Sequence, residues 1–147
     1  MAHPFKIDRV LFATDLSPTC ESALRCAAAL ANRFNAELYL LHVVSAPNGP
    51  GPASDASEQQ AATAMRHLRQ ELLATHDKYT TTAVLCGEPA ARILQKAADI
   101  RADLIVMGAS SHCPRPGSLT DTVIRGATCL VMTVPHARPG VQVELRP

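Results

Sequence analysis

The chain has 147 residues, and 47% of them are hydrophobic, which is enough for one domain with its own core. The net charge is +1, the basic residues are scattered and aromatic residues make up 3%, so the basic surface and stacking side chains typical of nucleic-acid-binding proteins are missing. The five cysteines form no CxxC pair, no signal-peptide pattern opens the chain, and no apolar run is long enough to span a bilayer. We therefore expect a single domain over residues 1–147 in the cytoplasm, with neither nucleic acid nor membrane as a partner.

The first part of the chain predicts two buried strands joined by a helix. The apolar run at 10–13 is typical of a buried strand and ends at Thr14-Asp15. Ser17 before Pro18 indicates a hydroxyl N-cap with proline at the first helical position. Spacings of three and four then predict a helix whose apolar face carries Ala23, Ala27, Leu30 and Phe34. Asn35, which tolerates the left-handed conformation, ends this helix, and 38–44 forms the second strand.

The middle of the chain predicts a loop, two helices and a strand. Residues 45–56 are rich in Pro, Gly, Ser and Ala without periodicity, so we expect a flexible loop. Ser57 and Gln60 have the spacing of a capping box and open a helix with apolar positions Ala61, Met65, Leu68 and Leu72. The β-branched run at 80–85 is the third strand. The turn at 87–89 leads to a third helix, with inward positions Ile93, Leu94, Ala97 and Ala98.

The last part of the chain predicts two strands around a loop and a helix. The fourth strand, at 104–107, leads into the sequence GASSHCPRPGS at 108–118. Ser118 and Asp121 cap a fourth helix with apolar positions Val123, Ile124 and Ala127. The fifth strand runs over 129–134. The core of the domain is therefore predicted at 7–135, followed by a tail, 136–147, in which Val141, Val143 and Leu145 alternate as in a short edge strand.

Five apolar strands that alternate with four helices indicate an α/β protein with a parallel sheet covered on both faces. The predicted fold is a doubly wound five-stranded sheet in the order 3-2-1-4-5, which right-handed crossovers allow. In that order strands 1 and 4 are neighbours at the switch point, where ligands of such sheets bind. We therefore expect Thr14-Asp15 to face 108–118 across one crevice.

Several stretches carry a family resemblance, namely VLFATDLSPTCESALRCAAALA, AELYLLHVV, GEPAARIL, ADLIVMG and GSLTDTVIRGATCLVMTVP. They cover nearly all of residues 7–135, with an aspartate after strand 1 and a glycine loop after strand 4 in the right order. On these residues the chain resembles the universal stress proteins. The resemblance implies an adenine nucleotide alpha hydrolase-like fold, a role in the stress response, a homodimer and, as in some members, ATP binding.

The resemblance also implies a nucleotide site. Members that bind ATP carry, after strand 4, a glycine, two residues, a second glycine, nine residues and then Gly-Ser or Gly-Thr. Matched by position, the adenosine side consists of Asp15 and Val43, and the phosphate side consists of Gly108, Ser111, Gly117 and Ser118.

The predicted phosphate loop departs from that pattern. Ser111 replaces the second glycine, eight residues rather than twelve separate Gly108 from Gly117, and the prolines at 114 and 116 have no N–H to donate. In its favour, Arg115 offers a cation, serine hydroxyls are present, and the fourth helix points its N-terminus at the crevice. The sequence leaves open ATP, a smaller nucleotide such as AMP, or no nucleotide. We expect Mg²⁺ only with a nucleotide and no metal site of the protein's own.

The predicted nucleotide residues also have structural interpretations. Asp15 is equally suited to cap the loop or helix that follows it, and Gly117-Ser118 is equally typical of a glycine before a serine N-cap. His42 lies within an apolar strand and fits a hydrogen-bonded core histidine.

The sequence gives less support to a metal site, a redox role or catalysis than to a nucleotide site. His112-Cys113 supplies two ligands where structural zinc needs four, and Cys20 and Cys113 are candidates for oxidation that fit plain thiols equally well. No nucleophile–base–acid set is found, so catalysis is at most slow ATP hydrolysis. Signalling receiver domains share this architecture and hold Mg²⁺ with an acidic cluster at the ends of strands 1 and 3. The chain has neither that cluster nor a lysine after strand 4, so this hypothesis fails.

Two functional classes stay open. In one, the protein is a cytoplasmic nucleotide sensor with a shortened loop. In the other, it is a nucleotide-independent dimeric interaction module. In both, the apolar fifth strand is an unprotected edge that invites pairing with a second chain, with 141–145 covering or extending it.

Overall fold

The sheet has the predicted architecture. The structure, a computed structural model, describes residues 5–45, 55–73, 80–109 and 115–135. Five strands form one parallel sheet in the order β3-β2-β1-β4-β5. Their bounds are β1 Arg9–Ala13, β2 Glu37–Val44, β3 Thr80–Cys86, β4 Leu104–Ala109 and β5 Leu130–Pro135. The predicted α/β class and strand order are therefore confirmed.

Helices cover both faces of this sheet. Their bounds are α1 Glu21–Phe34, preceded by a 3₁₀ turn over Pro18–Cys20, α2 Asp55–Leu73, α3 Pro89–Ile100 and α4 Leu119–Gly126. Phe12 and Met65 belong to the core between the sheet and α1 and α2, whereas Leu11 and Val123 belong to the core under α3 and α4. Because successive strand residues face opposite sides, the central strand β1 is buried on both faces. None of the described helices combines the length and apolar content of a membrane span.

Two helix ends follow the sequence closely. Asn35 ends α1 with a φ of 59°, the left-handed conformation predicted for it. Before α3, the Glu88 carboxylate accepts hydrogen bonds from the N–H groups of Ala90 (3.2 Å) and Ala91 (2.7 Å). These contacts satisfy backbone donors that the first turn of a helix leaves unpaired.

The predicted capping box at Ser57 and Gln60 is wrong. Helix α2 already includes Asp55, so Ser57 lies within its first turn rather than before it. Ala56 and Glu58 favour helix strongly enough to start it earlier than the hydroxyl signal suggests. Residues 55 and 56 of the predicted loop therefore belong to α2. Its residues 46–54 lie outside the described residues, as does the tail 136–147 with its predicted edge strand.

Three predicted core positions are exposed instead. Ala98 lies beside the buried stripe of α3, which runs through Ala90, Ile93 and Ala97. Phe34 lies in the last turn of α1, where its ring meets that of Phe5 edge-to-face at 6.4 Å. Ile124 on α4 is 45% exposed, because the short helix turns only Val123 fully towards the sheet.

The pairing of β1 with β4 positions the crevice. These strands run in parallel register from Val10 beside Leu104 to Ala13 beside Met107. At their amino ends, the Asp103 Oδ2 atom accepts hydrogen bonds from the backbone N–H of Asp8 at 2.8 Å and of Arg9 at 3.0 Å. The two strands therefore start together, and the connections that leave their carboxyl ends lie side by side.

We predict that Asp103→Ala lowers the free energy of unfolding by about 2 kcal/mol, since it leaves two backbone donors at the start of β1 without their carboxylate. Asp103→Asn keeps an acceptor and loses less. Asp99→Ala, at an exposed position near the end of α3, is the matched control and changes stability by less than about 0.5 kcal/mol. Urea unfolding measures all three, and equal losses for Asp103→Ala and Asp99→Ala would contradict the bridging role.

Candidate functional site

A cleft of about 570 Å³ opens at the carboxyl ends of β1, β2 and β4. Four of the sequence-predicted site residues line it, namely Asp15, Val43, Gly108 and Ser118. The predicted Ser111 lies outside the described residues, and Gly117 is described but is not part of the cleft wall. The wall also contains Thr14, Cys20, Leu41, His42, Ile93, Met107, Leu119 and Thr120. Because both apolar and polar groups line it, the cleft suits a ligand with an apolar part and several hydrogen-bonding groups.

The chain leaving β1 is tied firmly to the sheet. Thr14 is buried, its N–H donates to the Leu41 carbonyl at 2.9 Å, and its Oγ1 accepts from the Leu16 N–H at 3.0 Å. The His42 Nδ1 lies 2.8 Å from the Thr14 carbonyl oxygen. Since a carbonyl only accepts, Nδ1 carries the proton in this bond. His42 is hydrogen-bonded as predicted, but it is half-buried in the cleft wall rather than enclosed in the core.

Asp15 both caps the first helical turn and lines the cleft. Its Oδ1 accepts hydrogen bonds from the Ser17 N–H and from the Cys20 thiol, each at 2.9 Å. Burial alone would raise the pKa of this carboxyl, but the hydrogen bonds from Cys20 and Ser17 together hold the pKa below its ordinary value. Asp15 is therefore a carboxylate at neutral pH, an acceptor suited to hydroxyl or amino donors of a ligand.

The predicted hydroxyl cap at Ser17 is not formed. Ser17 occupies the N-cap position of the 3₁₀ turn, but its side chain makes no capping bond to the backbone. Its Oγ instead lies 2.8 Å from the hydroxyl oxygen of Thr19. The Asp15 carboxylate accepts from a different donor, the Ser17 N–H at the residue that precedes the turn.

The phosphate side of the cleft differs from its prediction. Gly108 does not open a loop, since β4 continues through Ala109 and Gly108 pairs with Val134 of β5. The strand extends because β5 offers it hydrogen-bonding partners to its end, a contact that local sequence does not encode.

The N-terminus of α4 is occupied by the chain itself. The Asp121 Oδ2 accepts from the Gly117 N–H at 2.9 Å, the Ser118 Oγ accepts from the Asp121 N–H at 3.2 Å, and the Ser118 N–H donates to the Arg115 carbonyl at 3.0 Å. The hydrogen bond from Gly117 and the contact with Arg125 lower the pKa of Asp121, so the first turn of α4 already carries the negative charge that a helix N-terminus favours. Gly117 and Ser118 thus act as helix punctuation, the structural alternative that the sequence left open.

Leu16 adopts a backbone conformation that non-glycine residues rarely take. Its φ is 63°, in the left-handed region, where the Cβ of an L-residue approaches the following carbonyl. Its N–H is held by Thr14, and its side chain packs partly buried against the core beneath α1. Residues under such strain cluster at functional sites. The strain here lies directly between Asp15 and the 3₁₀ turn that orients it.

The fold and the cleft together define an open α/β domain with a ligand crevice at its topological switch point. A family model described as the universal stress protein family matches residues 6–135. The chain therefore belongs to the universal stress protein family.

Individual proteins agree with this assignment. The universal stress protein MJ0531 of Methanocaldococcus jannaschii is 29% identical over 137 residues, which span 86% of this chain and 81% of that protein. The universal stress protein UspA from Lactobacillus plantarum has a TM-score of 0.76 and 29% identity, covering 88% of this chain and 99% of the other.

Two structural neighbours were solved as nucleotide complexes. One is a universal stress protein in complex with cAMP, with a TM-score of 0.74, 20% identity and coverage of 90% of this chain and 100% of the other. The other is the universal stress protein from Archaeoglobus fulgidus in complex with dAMP, with a TM-score of 0.65, 24% identity and coverage of 88% and 98%. At these identities the likeness concerns the fold alone.

We predict that Leu16→Gly is more stable than Leu16→Ala by about 1 kcal/mol, although glycine usually costs stability relative to alanine. Both variants lose the same leucine contacts, and only glycine relieves the left-handed strain. At the exposed helical position Ala98, Ala98→Gly should instead cost about 1 kcal/mol. Thermal and urea unfolding measure both effects, and an alanine variant at 16 as stable as the glycine variant would contradict the strain.

Proposed function

We propose that this universal stress protein is a binding protein whose cleft takes an adenine nucleoside or nucleoside monophosphate in preference to ATP. The observation that carries the proposal is the contrast between the two sides of the cleft. One side presents an ionised, hydrogen-bonded Asp15, and the other carries the Asp121 carboxylate in the first turn of α4, where it accepts from the Gly117 N–H.

The adenosine side has the groups that a nucleoside requires. Val43, Leu41 and Met107 provide apolar surface for a base, and Asp15 provides an acceptor for the hydroxyl groups of a ribose or the amino group of adenine. A cleft of about 570 Å³ lies within the range of small-molecule sites, which is roughly 300–1,000 Å³. The neighbours bound to cAMP and dAMP, each a single-phosphate adenine nucleotide, support the same ligand class.

The phosphate side offers little to a triphosphate. The Gly117 and Ser118 N–H groups are both engaged within the chain, and Asp121 would repel the β- and γ-phosphates of ATP. Arg115 is exposed and its carbonyl is hydrogen-bonded to Ser118 of the cleft wall, so we propose its guanidinium as the partner of one phosphate group. A monophosphate therefore gains the adenosine contacts without the repulsion, and Mg²⁺ would enter only with a bound nucleotide.

Calorimetric titration tests the ligand class. We expect AMP to bind more tightly than ATP. We expect Asp15→Ala to lower the affinity for AMP by at least about tenfold, because a hydrogen bond to a charged group is lost. Asp8→Ala, at the opposite end of the same strand, is the control and leaves the affinity unchanged. Asp121→Asn, which keeps the oxygen but removes the charge, raises the affinity for ATP about two- to fivefold while affecting AMP less.

Two results would contradict this assignment. ATP binding more tightly than AMP would show that the N-terminus of α4 accepts phosphate despite Asp121. Binding of neither nucleotide by the intact protein would favour the nucleotide-independent function described next.

The second candidate is a dimeric interaction module, which the β5 edge favours. Among the described strands, β5 pairs only with β4, and its Leu130 and Met132 side chains are 49% and 38% exposed. An apolar edge strand of this kind is a template for pairing with another chain. We propose a homodimer through β5. We also propose a cytoplasmic location, in keeping with Cys20, Cys26, Cys86 and Cys129, which are thiols in the described part of the chain.

Light scattering after size-exclusion chromatography tests the dimer. We expect a mass of twice the 15.7 kDa chain for the intact protein and a monomer for Met132→Lys, which places a charge on the pairing edge. Phe34→Lys is the matched control, because Phe34 is also 38% exposed but lies at the end of α1, and this variant stays dimeric. A monomeric intact protein, or a dimer that survives Met132→Lys, would contradict pairing through β5.

A further inference from the structure

The carboxylate of Asp15 is held by a cysteine thiol as well as by the backbone. Both hydrogen bonds, from the Ser17 N–H and the Cys20 Sγ, end on the same oxygen, Oδ1. We propose that Cys20 is a positioning residue of the nucleotide site, whose thiol fixes the plane of the Asp15 carboxylate so that Oδ2 accepts a hydrogen bond from the ligand. This inference rests on the proposed function and names the group that sets the geometry of its key acceptor.

The 3₁₀ turn brings the two side chains together. Cys20 is the last residue of that turn, five residues after Asp15, and only 8% of it is exposed. Its sulfur lies in the cleft wall, 2.9 Å from Oδ1. The Ser17 hydroxyl lies 3.7 Å from the same sulfur and is placed to donate to it. Because the ionised carboxylate of Asp15 can only accept, the proton of the thiol is directed to it.

Two donors on one oxygen restrict the carboxylate more than one donor would. With the Ser17 N–H alone, the group can rotate about its Cβ–Cγ bond and exchange its oxygens. With the thiol added from the core side, Oδ1 is fixed and Oδ2 is the oxygen with capacity left for a ligand. Preorganisation of this kind raises affinity because the ligand need not order the group that it meets.

The strained residue beside Asp15 fits the same arrangement. Leu16 takes its left-handed φ of 63° and is, with Ser17, one of the two residues that separate Asp15 from the 3₁₀ turn. That conformation turns the chain sharply enough for the Cys20 thiol to reach back to the aspartate. The thiol–carboxylate contact therefore depends on backbone geometry that the fold maintains at a cost.

Substitutions at Cys20 separate a positioning role from simple packing. Cys20→Ala and Cys20→Val remove the donor, the second with little loss of volume, and Cys20→Ser keeps a donor. Cys26→Ala, at a half-buried cysteine of α1 that does not line the cleft, is the control. Far-UV circular dichroism selects the folded variants, and the valine variant serves if the alanine variant does not fold.

Two measurements are made on each folded variant, namely the Asp15 carboxyl pKa by carbon NMR and the affinity for AMP by calorimetry. We expect Cys20→Ala and Cys20→Val to raise the pKa of Asp15, because they lose a donor that stabilises the carboxylate. We also expect both variants to lower the affinity for AMP by about three- to tenfold. Cys20→Ser and Cys26→Ala stay within twofold of the intact protein in affinity. In the Asp15→Ala background, where no acceptor is left for the thiol, removing the thiol weakens AMP binding no further.

The outcomes that overturn the proposal are distinct. An unchanged Asp15 pKa without the thiol shows that the two groups do not interact. A raised pKa with unchanged AMP affinity shows that the ligand does not use the orientation that Cys20 sets. If the intact protein binds no AMP, the proposed function fails and the positioning role falls with it, whereas binding that is insensitive to Cys20 overturns only the positioning role.

Discussion

The parallel pairing of β1 with β4 is the contact on which the site depends. These two central strands leave the sheet at the same level, with Ala13 beside Met107, so the chain after each strand borders one cleft. The Asp103 carboxylate joins their other ends through two backbone N–H groups of the β1 chain. Any slip in this register would separate Asp15 from Gly108. The chemistry of the cleft is therefore set by strand order before any single side chain is considered.

An aspartate carboxylate that accepts hydrogen bonds from the chain follows each of the two central strands, with opposite consequences for a ligand. After β1, one oxygen of Asp15 accepts hydrogen bonds from the chain itself, and the other oxygen is the proposed acceptor for a ligand. After β4, the Asp121 carboxylate receives the Gly117 N–H, so the chain uses up a donor that an anion would need. A helix N-terminus attracts one negative charge, and here a side chain supplies it. We propose that this asymmetry favours ligands rich in hydrogen-bond donors and poor in phosphate.

The sequence was sufficient to predict the fold, because apolar runs mark buried strands and right-handed crossovers leave few strand orders. The resemblance to the universal stress proteins supplied the positions of Asp15, Val43, Gly108 and Ser118, which all line the cleft. The sequence could not predict which acceptor takes which donor. The Ser17 hydroxyl makes no capping bond, the Asp15 carboxylate accepts from the Ser17 N–H, and the extension of β4 through Gly108 depends on pairing with β5. The cleft position of Cys20 was missed because its signal is the 3₁₀ turn, which no sequence period marks.

A crystal structure of the protein grown with AMP decides whether the exits of β1 and β4 form the binding site. We expect the nucleotide between Asp15 and Gly108, with a donor of its ribose or base within hydrogen-bond distance of the Asp15 carboxylate and its phosphate directed away from Asp121. Nucleotide density elsewhere on the molecule, or an Asp15 side chain turned out of the cleft beside a bound nucleotide, would contradict it.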